Sequence, residues 1–282
     1  MKKIITLTII ALIAICARAQ EPAKYRITYD CDAQYLIGKT MTYRWTLDVG
    51  ETTAVFYNAN NRDFNREKAE ILSKGGAMAL VEQLPTLGQK YPAKHDLQII
   101  VGAPEKGKYT YLKQLLTSKL KYEETLPVVE WQMTDSTKTV CEYECHQAVG
   151  AVYGRTWTVW YAPELPMNYG PYILGGLPGL IMAARDADGV FDFMAVGVEK
   201  VPEGSKVEAV NADEALKCSR KRFLEMRTEG DGLSQQQMEQ RALAEHGLSD
   251  SKNLVRVSVD ANGKASDGTD KPRPKKNYLD KE

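Results

Sequence analysis

The sequence predicts a mainly β protein of the α+β class: a curved, partly closed antiparallel sheet with a few helices. Three observations lead there. About ten short segments alternate apolar and polar residues at the two-residue period of a strand. Helical periodicity is confined to a few stretches, which excludes a run of parallel βαβ units. Glycine, proline and Asx turn residues follow one another closely, with no repeat and no linker, so one domain is expected over 20–262. A polar, basic, proline-containing tail is expected at 263–282.

The elements follow in order. In 24–31, Tyr25, Ile27, Tyr29 and Cys31 share one face while Lys24, Arg26, Thr28 and Asp30 share the other. Segments 40–47 and 52–57 read alike around Gly50, and a helix over 64–74 should close at Gly75-Gly76. Strands at 97–101 and 108–116 flank the turn Pro104-Glu105-Lys106-Gly107, and 119–124 and 128–133 flank Pro127. Further strands are expected at 139–149 and 155–161, then 180–185 and 190–198 around Asp186-Ala187-Asp188-Gly189. Asn211 with Glu214, and Ser234 with Gln237, resemble capping boxes for two helices, the second ending at Gly247. A final strand is expected at 254–259.

The N-terminus indicates a compartment. Lys2 and Lys3 precede an apolar run over 4–15 and then Ala17-Arg18-Ala19, the layout of a signal peptide cleaved after Ala19. Ile15 before Cys16 argues against lipidation, which needs a small residue there. Cleavage removes Lys2, Lys3 and Arg18 and no acid, leaving 34 basic and 37 acidic side chains, a net charge of −3. That balance excludes a dedicated nucleic-acid binder. No later apolar run reaches the ~20 residues of a spanning helix, so no transmembrane protein is expected. Localisation is expected in the periplasm or cell envelope, or outside the cell. The four remaining cysteines, Cys31, Cys141, Cys145 and Cys218, permit disulfides in that compartment.

Chemistry is harder to place. The chain has no G-x-S-x-G elbow, H-E-x-x-H, Walker loop or G-x-G-x-x-G, and His95, His146 and His246 stand in no known catalytic setting. In the cluster Cys141-Glu142-Tyr143-Glu144-Cys145-His146, the ligand types suit copper or zinc. An extended strand would nevertheless turn His146 away from both thiols, so no metal and no cofactor is expected. Cys31 and Cys145 both fall on apolar faces and make the preferred disulfide, with Cys141 the competing partner. Asp186-Ala187-Asp188-Gly189 with Asp192 departs from an EF-hand loop, because glycine stands fourth, and suits a β-turn instead.

The segment 163–178 holds four of the twelve prolines and three glycines, which makes a shaped loop. It serves either as a plug over one end of the sheet or as a lip for a ligand or partner. The lip would comprise Trp160, Tyr161, Tyr169, Gly170, Pro171, Tyr172, Gly176, Leu177, Pro178 and Gly179.

Gly176-Leu177-Pro178-Gly179-Leu180-Ile181 spells GLPGLI, and Trp131–Asp135, Tyr143–Cys145, Gly154-Arg155, Trp160–Pro166 and Gly170-Pro171 stand before it in order. Over about 128–201 the chain resembles the GLPGLI family of exported Gram-negative bacterial proteins, also called the Porph_ging family. Cys141 replaces an expected small residue, and Lys276-Asn277-Tyr278-Leu279 only partly follows the family's terminal pattern. The resemblance implies an exported envelope protein and carries no catalytic residues with it. Two function classes follow. One is a non-enzymatic binding or accessory protein for an apolar or peptide-like ligand or an outer-membrane partner, with Tyr25, Tyr29 and Trp157 lining its concave face. The alternative is a periplasmic enzyme, hydrolytic or thiol-based, or a metal-binding protein centred on Cys145.

Overall fold

Alternating side chains resolve into twelve strands in the computed structural model, which describes residues 21–115, 118–234, 237, 240 and 275–280. The first half comprises β1 (Tyr25–Leu36), β2 (Lys39–Val49), β3 (Ala54–Asn58), α1 (Ala59–Lys90), β4 (Gln98–Val101), β5 (Lys108–Leu115) and β6 (Ser118–Thr125). The second comprises β7 (Gln132–Val140), β8 (Tyr143–Val152), β9 (Arg155–Ala162), β10 (Leu180–Asp186), β11 (Phe191–Lys200), β12 (Leu216–Lys217) and α2 (Arg220–Gly232).

All twelve strands join one sheet in the order β12-β6-β5-β4-β3-β2-β1-β11-β10-β9-β8-β7. Every pairing is antiparallel except β12 on β6, and the outermost strands do not pair with each other. β1 is central. It runs in register with β2 through Tyr29↔Trp45 and with β11 through Cys31↔Phe193, so its inward residues meet bulky partners on both sides. Curvature brings distant strands together: Phe56 of β3 and Trp157 of β9 both reach the ring of Phe193, at 6.2 and 6.3 Å. The two arms meet where the hydroxyls of Tyr109 and Tyr153 bond at 2.8 Å. One large apolar cluster fills the concave side. Each fully buried aromatic or branched side chain there contributes about 2–3 kcal/mol.

Several boundaries differ from the sequence expectation. The helix expected at 64–74 begins earlier, capped by Asn58, whose side chain accepts from the Asn61 N–H at 2.8 Å. At Gly76 the backbone adopts φ 69° and the helix doubles back. Glu67 thereby meets Lys90 and the Tyr91 hydroxyl at 2.6 Å each, and Asn60 donates to the Pro92 carbonyl at 2.6 Å. α1 is thus a helical arm that buries only Leu87. No strand forms at 128–133 as a unit, and the strand expected at 139–149 is two strands. Cys141 and Glu142 form a tight turn between β7 and β8, both at positive φ (47° and 69°). Asn211 sits in a turn at φ 56° and caps no helix; α2 starts after Ser219, whose hydroxyl accepts from the Arg222 N–H at 3.2 Å. The box of Ser234 and Gln237 does form, with reciprocal bonds of 2.9 and 3.2 Å. The signal segment, the strand at 254–259 and the helix end at Gly247 lie outside the described residues. Among the described residues no helix is long and apolar enough to cross a membrane.

Candidate functional site

The loop 163–179 turns inward. Tyr172 is 1% exposed and Leu177 2%, and Leu165, Ile173 and Leu174 join them in the apolar cluster beneath the curved sheet. Gly170, Pro171, Gly179 and Tyr161 are buried too, while Trp160 and Tyr169 are half-buried and Gly176 and Pro178 face outward. Tyr172 therefore offers no surface to a partner, because its ring is spent on the interior. Backbone bonds hold the loop to β10, from Leu180 N–H to Leu165 O and from Ile181 N–H to Tyr169 O, both 2.9 Å. Trp131 adds its indole N–H to Gly175 O at 2.9 Å.

The cysteines do not pair. Cys31, Cys141, Cys145 and Cys218 are all free thiols. Three strands, β11, β10 and β9, lie between the strands that carry them. Cys141, in its turn, donates to Ala195 O at 3.1 Å. Burial raises the thiol pKa of Cys31, Cys141 and Cys145, which disfavours the reactive thiolate. His146, half-buried on β8, lies 3.7 Å from Glu144. Among the described residues no three His, Cys, Asp or Glu side chains are grouped to hold a metal. The hairpin carboxylate of Asp186 accepts from the Val190 and Phe191 N–H groups at 2.8 Å and pairs with Arg155 at 2.5 Å, so it anchors structure.

A constellation that sequence reasoning missed lies at the end of the sheet where β1 stops. Residues 275–280, expected to belong to a polar tail, cross this end as a strap. Ile37 N–H donates to Lys275 O at 3.0 Å and Asn277 N–H to Tyr35 O at 2.8 Å, extending β1 beyond the reach of β11. Arg155 grips the Tyr278 carbonyl through Nε and Nη2 at 3.0 and 2.6 Å. Leu279 and Asp280 are 3% and 4% exposed. The Asp280 carboxylate meets Arg227 at 2.8 Å and Arg220 at 3.4 Å, both on α2. Arg227 also lies over the Tyr278 ring at 4.0 Å, and Arg220 over Tyr153 at 4.6 Å.

Two clefts flank α2. The larger, about 1270 Å³, is lined by Glu124, Tyr153, Arg220, Lys221, Glu225 and Leu233 among others. The smaller, about 350 Å³, lies against the strap between Arg155, Arg227 and Tyr278. Aromatic faces, cations and carboxylates on one wall suit a ligand rich in hydroxyl groups. One sequence signal was available: α2 opens with Arg220-Lys221-Arg222 and no acid, against the preference of a helix N-terminus for negative charge. Nearby, His95 packs on Tyr35 at 4.4 Å between rings, with Lys113 Nζ 3.2 Å from its Nε2. Burial, reinforced by the Lys113 charge, lowers its pKa to about 3. Lys113 also pairs with Asp96 at 3.0 Å.

Comparison with known proteins places the fold. Residues 95–219 match the family described as N-glycanase peptide, N-terminal domain. Two crystal forms of PNGF-II, in space groups P21 and C2, superpose with TM-scores of 0.50 at 15% and 16% identity. Each covers 75% of this chain, while the chain spans only 34% of either PNGF-II structure. No curated protein matches the sequence. These findings correct the GLPGLI resemblance, because the matching family is the N-glycanase domain and its match contains the whole of that motif. The motif reports loop geometry: Gly176 takes φ 82°, and a Cβ on Gly179 would sit 2.3 Å from the Ala162 carbonyl oxygen. Any chain re-entering a strand along this path needs those glycines. The expectation of a non-enzymatic envelope binding or accessory protein falls with that family, and the hydrolytic alternative accords better with an N-glycanase match.

Proposed function

We propose that this protein is an exported, glycan-processing protein of the N-glycanase type that acts in hydrolytic release of nitrogen-linked glycans. The match over 95–219 carries the reading, since it takes in β4 to β12 and the inward loop. The raised thiol pKa values favour hydrolysis over thiol chemistry. The cleft beside α2 is the proposed substrate contact, with Tyr153 for a sugar face and Arg220, Lys221, Glu124 and Glu225 for hydroxyl groups. Export to the periplasm or envelope follows from the N-terminal segment.

The test incubates the full chain with an N-glycosylated peptide and with the same peptide lacking its glycan. Mass spectrometry follows free glycan and the conversion of the linking asparagine to aspartate, and calorimetry follows binding. The glycopeptide should bind selectively and lose its glycan, and Lys221→Ala, an exposed change, should weaken binding without unfolding. Equal indifference to both peptides would overturn the reading.

A further inference from the structure

We propose that the strap seat is a carboxylate-recognition site, held shut in the free chain by its own Asp280. The inference concerns a ligand for the strap seat and rests on the glycan-processing reading, which it deepens by naming an acidic group on the substrate. The strap and the two arginines of α2 lie outside the matched 95–219, while Arg155, Tyr111, Tyr122 and Tyr153 lie within it.

The seat has the parts of a ligand site. Recognition of the strap begins with backbone pairing to the free end of β1, at Ile37 and Tyr35, the mode by which extended segments add to a sheet. The Asn277 amide donates to Gln34 O at 2.7 Å and fixes the register. Leu279 enters the apolar cluster that holds Phe223, Tyr111 and Tyr122. The carboxylate at the end of this segment then enters the fork of Arg227 and Arg220.

Arg220 is not used up. Arg220 reaches Asp280 only at 3.4 Å, and its buried Nε has no partner among the described residues. A better-fitting carboxylate would satisfy that buried donor. The three cations opening α2 oppose the helix dipole; Arg222 is held by Glu225 and Glu229 of the same helix, whereas Arg220 turns to the strap and its anion. Asp280 fills that need in cis. An acidic sugar or a peptide carboxylate would fill it in trans, displacing the strap and joining the two clefts that flank α2.

The experiment keeps the full chain. A synthetic peptide with the sequence of 275–280 is titrated into the unaltered protein and into Asp280→Asn and Leu279→Ala, each of which weakens the cis occupant. Both variants should bind the peptide about tenfold more tightly than the unaltered chain, because more of the population presents an open seat. A second readout is amide exchange. Ile37 and Asn277 should lose protection in the variants while the amides pairing β1 with β2 keep theirs. Unchanged peptide affinity, or loss of protection throughout the sheet, would overturn the proposal and make the strap plain structure. Further arms use a free acidic sugar and the same peptide lacking its terminal acid. Binding of the sugar names a glycan carboxylate as the trans ligand, and binding of only the acid-bearing peptide names a peptide carboxylate. Binding of the acid-free peptide as tightly as the acid-bearing one overturns carboxylate recognition. None of these arms requires glycan release, so they can succeed where the N-glycanase reading fails.

Discussion

At the scale of single residues, His95 couples the fold to pH. Its pKa falls from 6.5 to about 3 because the ring is buried beside the Lys113 cation. The unfolded chain therefore binds the proton first as pH drops, and stability present above 6.5 is lost as pH falls towards 3. Urea unfolding at stepped pH should show that loss at up to about 1.4 kcal/mol per pH unit, and His95→Gln should flatten it. Identical slopes for both proteins would refute the assignment. Asp96, its pKa lowered from 3.8, adds a loss of its own at the acid end, so the two slopes are compared above about pH 5. Gly179 offers a second test. A methyl group there meets backbone, which cannot swing aside, so Gly179→Ala should cost about 2 kcal/mol or more in thermal unfolding.

At the scale of elements, the loop 163–179 behaves as part of the core. Leu177→Ala should destabilise by about 2–4 kcal/mol and Tyr172→Ala by about 3–5, as in other large-to-small core changes. Tyr169→Ala, at a half-buried site, should cost clearly less than either. Equal small losses for all three would mean the loop does not pack as described. The helical arm α1 contrasts with it. Leu72, Met78, Val81 and Leu84 are exposed along α1, so apolar pattern alone did not make a core helix there.

At the scale of the whole molecule, the single sheet decides which cysteines can meet. With β11, β10 and β9 between them, Cys31 and Cys145 should stay free even after export. Non-reducing peptide mapping should recover both as alkylated thiols once the chain is denatured. In the native state Cys31 and Cys145, both fully buried, should react more slowly than Cys141 and Cys218, in keeping with their raised pKa values. Recovery of a Cys31–Cys145 peptide would contradict the strand order.

The sequence by itself determined what neighbouring residues decide. The faces of β1, the turns at 104–107 and 186–189 and the box of Ser234 with Gln237 depend on contacts within a few residues, and all formed. Only the tertiary structure decided the direction of the loop, the fate of the thiols and the site beside α2. Cys141 shows why: its alternation with Tyr143 and Cys145 read as one strand, yet two residues at positive φ turned the chain there. The strap shows it more fully. Lys276 and its neighbours have tail composition, but Asn277 bonds Gln34 across 243 positions, and Asp280 pairs with Arg227 only because a curved sheet brings α2 beneath it. Such pairs stabilise only once burial has removed the competing water, and burial belongs to the assembled fold and not to any local stretch of chain.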